Sequence, residues 1–404
     1  MTKSETADPN RRRWLGDVAL AFAVLLGIAA GIWFLVRPAP LPEGIDRENY
    51  DRAEREYRQT YHREPTRADV FFLMGESAWQ QNHLEKALSC FRQISPQDPE
   101  YGAAVRAQEG EIHVELNRAE AGESCFREFL RLVEQGAEAS VSDRVTAYKW
   151  LNFLLSVELR FEERKEFLEE LHELGHANVF DSKQLYFPHL LIWRSSKGRE
   201  RLAKFLENDP ANPHLLIAQA RYLTASGKID EARALLENLQ KKHPEKRYAI
   251  AALLECEFES GNQKNFFRIA ESLPATEPGE PWLLTRMRGQ YALETKRPKD
   301  AVRHFERVLE ADPSNPESQM GLANAYRQMG QTGLQEKALS RSQVLAKIRV
   351  FLSNITENDA NAALELASMC EEIELFEAAR TYRNHAERIA RSLDGSSASP
   401  FPAR

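Results

Sequence analysis

A short stretch near the middle of the chain, His172-Glu173-Leu174-Gly175-His176, matches the pattern H-E-x-x-H. When this pattern lies on a continuous helix, its two histidines share one face and bind zinc, and its glutamate acts as a general base. His172, Glu173 and His176 are therefore weak candidates for metal ligation and base catalysis. These residues raise the hypothesis of a zinc metallopeptidase.

The residues around this motif argue against a zinc site. Gly175 falls where the helix predicted over residues 161–174 should end, which would leave His176 outside that helix. The extended form of the motif would place its third histidine at Ser182, and Glu200 is the nearest glutamate on a following helix. The sequence also has no glycine-rich phosphate loop and no G-x-S-x-G elbow. We therefore predict that the match is a coincidence and that the protein is not an enzyme, with no metal and no cofactor.

The composition is ordinary for a water-soluble helical protein and argues against a nucleic-acid partner. Charged residues make up 28% of the 404 residues, and the net charge is −7. Binding to phosphates usually requires a basic patch that displaces counterions, whereas here lysine and arginine alternate with acidic residues.

The four cysteines, Cys90, Cys125, Cys256 and Cys370, are widely separated and form no Cys-x-x-Cys pair. We expect them to be small apolar fillers between helices.

An apolar stretch near the N-terminus, Trp14 to Val36, predicts a transmembrane helix. Residues 15–36 would span roughly 33 Å as a helix, which is enough for a bilayer core. The single charge, Asp17, lies close to one end, where it costs far less than at the bilayer centre. A cleaved signal peptide is the alternative, but its apolar core is usually shorter, and Arg37-Pro38 stands where a cleavage site should lie.

The basic residues beside this stretch predict its orientation. Residues 1–13 form a short tail that ends in Arg11-Arg12-Arg13, and such a cluster favours the cytoplasmic side. It also loosely matches a twin-arginine export signal. Residues 37–45 are a proline-rich linker that separates the folded part from the membrane. We expect a single-pass membrane protein with its N-terminus in the cytoplasm and the rest of the chain in the periplasm or outside the cell.

Residues 283–313 show the period of an internal repeat. They contain, in order, Gly289, Ala292, Ala301, Phe305, Val308 and Pro313. This order resembles the roughly 34-residue tetratricopeptide repeat, a helix-turn-helix unit. The small residues allow the two helices of a unit to approach closely, the bulky side chain fills the gap to the next unit, and proline ends the second helix.

The same register recurs through residues 46–393, which we interpret as about nine units. The strongest are 68–101, 213–246 and 282–315. The first carries Phe71, Met74, Gly75, Ala78, Ala87, Phe91, Ile94 and Pro99, and the second carries Leu216, Ala220, Leu223, Ala232, Leu236, Leu239 and Pro244. The units near 144–177, 182–212 and 247–280 are degenerate, and Gln335 stands where the unit near 316 should have alanine.

The resemblance implies an all-α fold, a right-handed α-solenoid of tetratricopeptide-like units. The apolar stretch at 14–36 predicts one N-terminal transmembrane helix in front of it. Each unit of such an array buries its apolar face only against its neighbours. Residues 394–404, rich in serine and proline, are predicted to be a disordered tail.

The resemblance also implies a function. In this family the first helices of the units line a concave face that binds a peptide or protein. Carried onto the well-matched units, the contact positions are Phe72, Glu76, Trp79, Gln80, Ile217, Arg221, Arg286, Gln290, Glu294, Asn324, Arg327 and Gln328. We therefore expect a membrane-tethered interaction scaffold for envelope protein assembly or secretion, with a partner that the sequence does not identify. Self-association into a structural membrane assembly is the second alternative besides the peptidase.

Overall fold

The computed structural model describes residues 41–42, 45–189, 196–353, 356 and 359–394, and these form 19 helices and no strands. The helices are α1 Arg47–Tyr61, α2 Arg67–Gln80, α3 Leu84–Phe91, α4 Gly102–Glu115, α5 Ala119–Glu134, α6 Val141–Val157, α7 Phe161–Glu173, α8 Val179–Tyr186, α9 Ser196–Asn208, α10 Pro213–Ala225, α11 Ile229–Lys242, α12 Arg247–Glu259, α13 Gln263–Glu271, α14 Trp282–Glu294, α15 Pro298–Ala311, α16 Pro316–Gln328, α17 Thr332–Leu352, α18 Ala360–Glu372 and α19 Phe376–Asp394.

Most of these helices pair with their neighbour in the chain to form a stacked solenoid, as the repeat pattern predicts. The pairs α2/α3, α4/α5, α6/α7, α10/α11, α12/α13, α14/α15, α16/α17 and α18/α19 pack internally. The first helices of successive pairs also contact one another, so α12 packs on both α10 and α14, and α14 packs on α16. The first helices of this part of the array therefore share one side of the solenoid.

Local sequence signals set the boundaries of many helices. Thr66 caps α2, and its hydroxyl accepts a hydrogen bond from the backbone of Asp69, whose carboxylate in turn accepts one from the backbone of Thr66. Proline is the first residue of α10, α15 and α16, where its missing N–H costs nothing and its fixed φ suits a helix. These signals fix where the helices begin from the local sequence alone.

In the pairs α2/α3, α4/α5 and α14/α15, the two helices approach closely where a glycine of the first helix lies against a phenylalanine ring of the second. A Cβ atom added to Gly289 of α14 would lie 2.8 Å from the Phe305 ring of α15, and one added to Gly110 would lie 2.8 Å from the ring of Phe126. Phe305 is 1% exposed and also lies against Gly321 of the next unit. The bulky residue therefore fills the gap towards the following unit, as the repeat pattern predicts.

The degenerate unit at 182–212 departs from a simple shortened repeat. Its first helix, α8, packs against α7 and the C-terminal α19, whereas α9 packs against α6 and α10. The two helices of this unit therefore contact different parts of the solenoid. The apolar cluster beneath α8 joins Val179 and Phe187 to α17, α18 and α19.

Further contacts between distant residues show that the solenoid curls back on itself. The Arg201 guanidinium donates a hydrogen bond to the Val114 carbonyl at 2.8 Å, and the Asn212 amide donates one to Glu120 at 3.0 Å. The backbone N–H of Trp282 donates to Glu162 Oε1 at 2.7 Å, although 120 residues separate the two. The middle of the chain therefore contacts units that are several repeats away.

No helix within the described ranges has the length and apolar character needed to cross a bilayer. The predicted transmembrane helix at 14–36, the basic tail at 1–13, residues 37–40 and 43–44 of the linker and residues 395–404 of the tail all lie outside those ranges. These expectations therefore stay predictions from the sequence.

We predict that Gly289→Ala destabilises the array. Alanine normally stabilises a helix interior relative to glycine by about 1 kcal/mol, but here its methyl group would lie too close to the ring of Phe305. Urea unfolding followed by circular dichroism should show a loss of about 1–3 kcal/mol.

Phe305→Leu tests the same contact from the other side. Leucine removes the ring that the methyl group of Gly289→Ala would meet and leaves a partial cavity. The double variant should lose less than the sum of the two single losses, since only the double variant lets the added methyl group occupy the space that the ring has left. Strictly additive losses would contradict the proposed contact.

Candidate protein-binding groove

Four successive first helices, α10, α12, α14 and α16, line a cavity of about 220 Å³. The lining residues include Arg221, Thr224 and Ala225 of α10, Glu255 and Glu259 of α12, Trp282, Leu283 and Arg286 of α14, and Asn315 and Glu317 at the start of α16. We call this cavity the groove. It lies on the side that the repeat pattern assigns to partner binding.

A buried ion-pair network forms part of the groove wall. Arg221 Nε donates to Glu255 Oε2 at 2.9 Å, and Arg286 Nη2 donates to Glu255 Oε1 at 2.8 Å. Burial acts to raise the pKa of Glu255, but the two guanidinium groups outweigh it and hold the pKa below its usual value. One carboxylate thus links three successive first helices through charged hydrogen bonds.

A segment from an earlier unit closes one side of the groove. His189, which follows α8, has its Nδ1 3.4 Å from Asp312 Oδ2, in the loop between α15 and α16. Burial lowers the pKa of His189 although Asp312 acts to raise it. A neutral imidazole and the indole of Trp282 therefore stand beside the charged residues, so the groove offers both polar and aromatic contacts.

The structure brings two of the predicted contact residues, Arg221 and Arg286, to the groove. Ile217 is 6% exposed and belongs to the apolar core, so its side chain is already covered within the array. The other predicted residues of α14 and α16 do not line the groove: Gln290, Glu294, Asn324, Arg327 and Gln328. Among these, Gln290 donates to Glu294 at 3.3 Å and Gln328 donates to the Leu293 carbonyl at 3.3 Å.

The four predicted residues of α2 lie in the first unit, in a different part of the array from the groove. Phe72 stacks on the ring of Tyr101 with centroids 4.5 Å apart, and Trp79 packs against the local apolar core. Burial raises the pKa of Glu76, which is partly buried, while Gln80 is exposed. Glu76 also hydrogen-bonds with Gln108, so three of these four side chains make contacts within the array itself.

The sequence interpretation missed most of the groove lining, including Glu255, Glu259, Trp282, Glu317 and His189. Glu255 and Glu259 occupy contact positions of the unit near 247–280, which departs from the repeat pattern because Phe266 stands where a small residue is expected. Extending the contact positions to that unit would have identified both. His189 comes from another unit and carries no periodic signal.

The H-E-x-x-H motif does not form a zinc site. Helix α7 ends at Glu173, and Gly175 adopts a φ of +72°, so the exposed His176 lies beyond the helix. The imidazole of His172 points instead towards Ser182, with Nε2 3.2 Å from its hydroxyl. Within the described ranges no cluster of three or more His, Cys, Asp or Glu side chains could hold a metal ion.

The Ser182 hydroxyl also lies 2.7 Å from Nε2 of His385, but this pair is not an activated nucleophile. Arg388 Nη2 lies 2.6 Å from Nδ1 of His385. A guanidinium can only donate, so Nδ1 accepts and the proton of the neutral ring stays on Nε2, facing the hydroxyl. A general base would need Nε2 unprotonated, and Ser182 is fully buried.

Comparison with known families identifies the repeats. One family model described as tetratricopeptide repeat matches residues 45–109 and 292–333, and a second model with the same description matches residues 217–276. The chain therefore contains tetratricopeptide repeats, which imply a protein–protein interaction scaffold. Proteins built from these repeats are generally non-enzymatic.

Individual relatives are distant. The chain is 24% identical over 145 residues to cellulose synthase operon protein C of Pseudomonas fluorescens (strain SBW25), an alignment that covers 34% of this chain and 11% of that protein. A crystal structure of a tetratricopeptide repeat protein from Parabacteroides merdae ATCC 43184 is 12% identical, with a TM-score of 0.32 over 64% of this chain and 98% of that one. The Cut9–Hcn1 hetero-tetramer of the APC/C gives 14% identity and a TM-score of 0.30 over 84% of each chain.

We predict that Glu255→Gln destabilises the array by about 3–5 kcal/mol at neutral pH, because it leaves two buried guanidinium groups without their shared counter-charge. Urea unfolding of this variant should be compared with that of Glu294→Gln, whose side chain is exposed. The control should change stability by less than about 0.5 kcal/mol.

The pH dependence of the stability difference between the wild type and Glu255→Gln tests whether the charge of Glu255 causes that difference. The lowered pKa of Glu255 means that its contribution is complete above the ordinary value of 4.5 and is lost as the pH falls through the lowered value. The gap between the wild type and Glu255→Gln should therefore narrow in acid. A gap that stays constant below pH 4.5 would show that the charge of Glu255 is not responsible.

Proposed function

We propose that the protein is a membrane-tethered interaction scaffold that binds a peptide segment of a partner protein in the groove between α10 and α16. The observation that carries this proposal is the groove itself, a cavity built by four successive first helices with charged and aromatic side chains on its wall. Arginine and tryptophan are common energetic anchors of protein interfaces.

Charge favours a partner segment that carries both a polar group and a cation. Glu259 and Glu317 are exposed at the groove, whereas the two arginines beneath them are held by Glu255. A basic side chain of the partner would meet the exposed carboxylates, and the indole of Trp282 offers a cation–π surface. Such surface charges mainly steer association and set its salt dependence.

The sequence of residues 14–36 supports the tether. A span of that length preceded by Arg11-Arg12-Arg13 favours an N-terminus in the cytoplasm, with the repeats on the opposite side of the membrane. A scaffold in that position fits a role in envelope protein assembly or secretion.

The groove can be tested by filling it. Ala225 lines the groove and is exposed, so Ala225→Trp adds bulk there without removing a buried contact. Ala234 on α11 is also exposed, is not among the residues that line the groove and provides the matched control Ala234→Trp. Crosslinking in cells followed by pull-down and mass spectrometry should show specific partners with the wild type and the control, and a loss of at least about tenfold with Ala225→Trp, or about 1.4 kcal/mol.

A second pair of variants tests the charge. Glu317→Lys should weaken capture of the same partners by about 1 kcal/mol and reduce its salt dependence, whereas Glu207→Lys on α9 should leave both unchanged. An identical partner set and yield for Ala225→Trp, Glu317→Lys and both controls would remove the groove as the binding site.

The tether is tested by cell fractionation. The full chain should remain with membranes after high-salt and alkaline washes, because a transmembrane helix is not released by removing surface charges, and deletion of residues 1–40 should move the repeats to the soluble fraction. Protease added to the extracytoplasmic side should digest the repeats of the full chain. Membrane association that survives the deletion, or protection of the repeats from that protease, would contradict the anchor or its orientation.

A further inference from the structure

The C-terminal helix α19 docks on α8, in the middle of the chain. The hydroxyl of Tyr186 lies 2.9 Å from that of Thr381, and the Phe187 ring stacks on Tyr382 with centroids 6.4 Å apart. Ser182 and His385, separated by 203 residues in the chain, meet through the 2.7 Å contact described above. We call this interface between α8 and α19 the latch.

His385 forms the buried centre of the latch. It is 4% exposed, its Nδ1 accepts from Arg388 and its Nε2 faces Ser182. The Tyr382 ring lies 6.2 Å away on the same helix, and α7 supplies His172, which shares the Ser182 hydroxyl. Besides burial, the charged groups that act on His385 are Arg388 and His172, and the one that acts on His172 is Arg388.

The hydrogen bonds and charges around His172 and His385 favour the neutral forms of both side chains and disfavour their protonated forms. A second proton on His385 would have to sit on Nδ1, where the guanidinium of Arg388 already donates, so two donors and two positive charges would face each other. The neighbouring Asp181 is engaged with the backbone of Asn178 as part of the α8 cap. Protonation of both histidines would therefore place two positive charges, one on the buried His385 and one on the half-buried His172, beside the guanidinium of Arg388.

We propose that the latch is a pH-sensitive closure that holds α19 on α8 while His172 and His385 are neutral and releases it when they are protonated. Release would also change a larger cleft of about 900 Å³, whose walls are α7, α8, the loop between α15 and α16, and the start of α19. Losing α19 removes one of those walls. Acid would thus open the cleft by detaching the C-terminal pair α18/α19 from the middle of the chain.

The direction of the pH dependence follows from the two histidines. Burial lowers the pKa of His385 from 6.5 to about 4, and burial together with Arg388 lowers the pKa of His172. A group whose pKa is lowered by docking stabilises the docked form fully above its ordinary pKa, and this stabilisation is lost as the pH falls towards the lowered value. The latch should therefore be closed near pH 7.5 and weaken below pH 6.5.

Hydrogen–deuterium exchange of the full chain tests the proposal, with protection factors corrected for the chemical exchange rate at each pH. Between about pH 7.5 and about pH 5, protection in α8, α18 and α19 should fall by roughly tenfold or more, while protection in α14 stays constant. The double variant His172→Gln/His385→Gln should keep its protection at about pH 5, because glutamine at 385 can still donate to Ser182 and accept from Arg388. His176→Gln changes the exposed histidine of the same motif and should behave as the wild type.

The proposal fails if protection in α8 and α19 is independent of pH, if it falls equally in α14, or if the double variant loses as much as the wild type. Exchange measurements on the wild-type chain over a series of pH values test the proposal even if α19 does not dock on α8 in the double variant. The logarithm of the protection factor should fall with a slope of about one to two protons per pH unit below pH 6.5, and a slope of zero overturns the proposal.

Discussion

The solenoid depends on one steric constraint, the close approach of two helices at a residue that has almost no side chain. In α14 and α15 this residue is Gly289, which lies beneath the ring of Phe305, and the same ring reaches Gly321 of the next unit. A single side chain thus sets both the spacing within a unit and the stacking on its neighbour. Because each unit buries its apolar surface only against adjacent units, the repeated contact is sufficient to propagate the array.

The groove is a consequence of that stacking. When successive pairs stack with a constant small rotation, their first helices fall on one side, and side chains at equivalent positions come within hydrogen-bonding distance. Arg221, Glu255 and Arg286 illustrate this on α10, α12 and α14. Their ion pairs are shielded from water, so they hold the three helices in register more firmly than exposed pairs could. Within the wall of the cavity beside them, Glu255 therefore already has both of its charge partners, whereas Glu259 and Glu317 stay exposed.

The sequence predicts the parts of this structure that repeat. Small residues such as Gly75 and Gly289, each with a bulky residue one helix later, predict most of the helix pairs, although the pair expected at 182–212 does not form. Two of the predicted contact residues reach the groove because equivalent positions face the same side. The curling of the array could not be predicted, since a repeat pattern encodes contacts between neighbours only. Contacts such as Trp282 with Glu162, which are 120 residues apart, depend on the accumulated rotation of all the intervening pairs.

The H-E-x-x-H match suggests zinc chemistry that the structure does not support, but it lies where the regular helix pairing of the array is interrupted. Gly175 ends α7 with a left-handed turn, so the two histidines cannot share a helix face. The chain then leaves the stack as α8, which pairs with the distant α19 and not with its neighbour α9. A regular unit here would have buried α8 against α9 and left α19 with no surface on which to dock. The degeneracy of this unit therefore allows the C-terminal helix α19 to dock on the middle of the chain, and His172, next to the end of α7, lies at that contact.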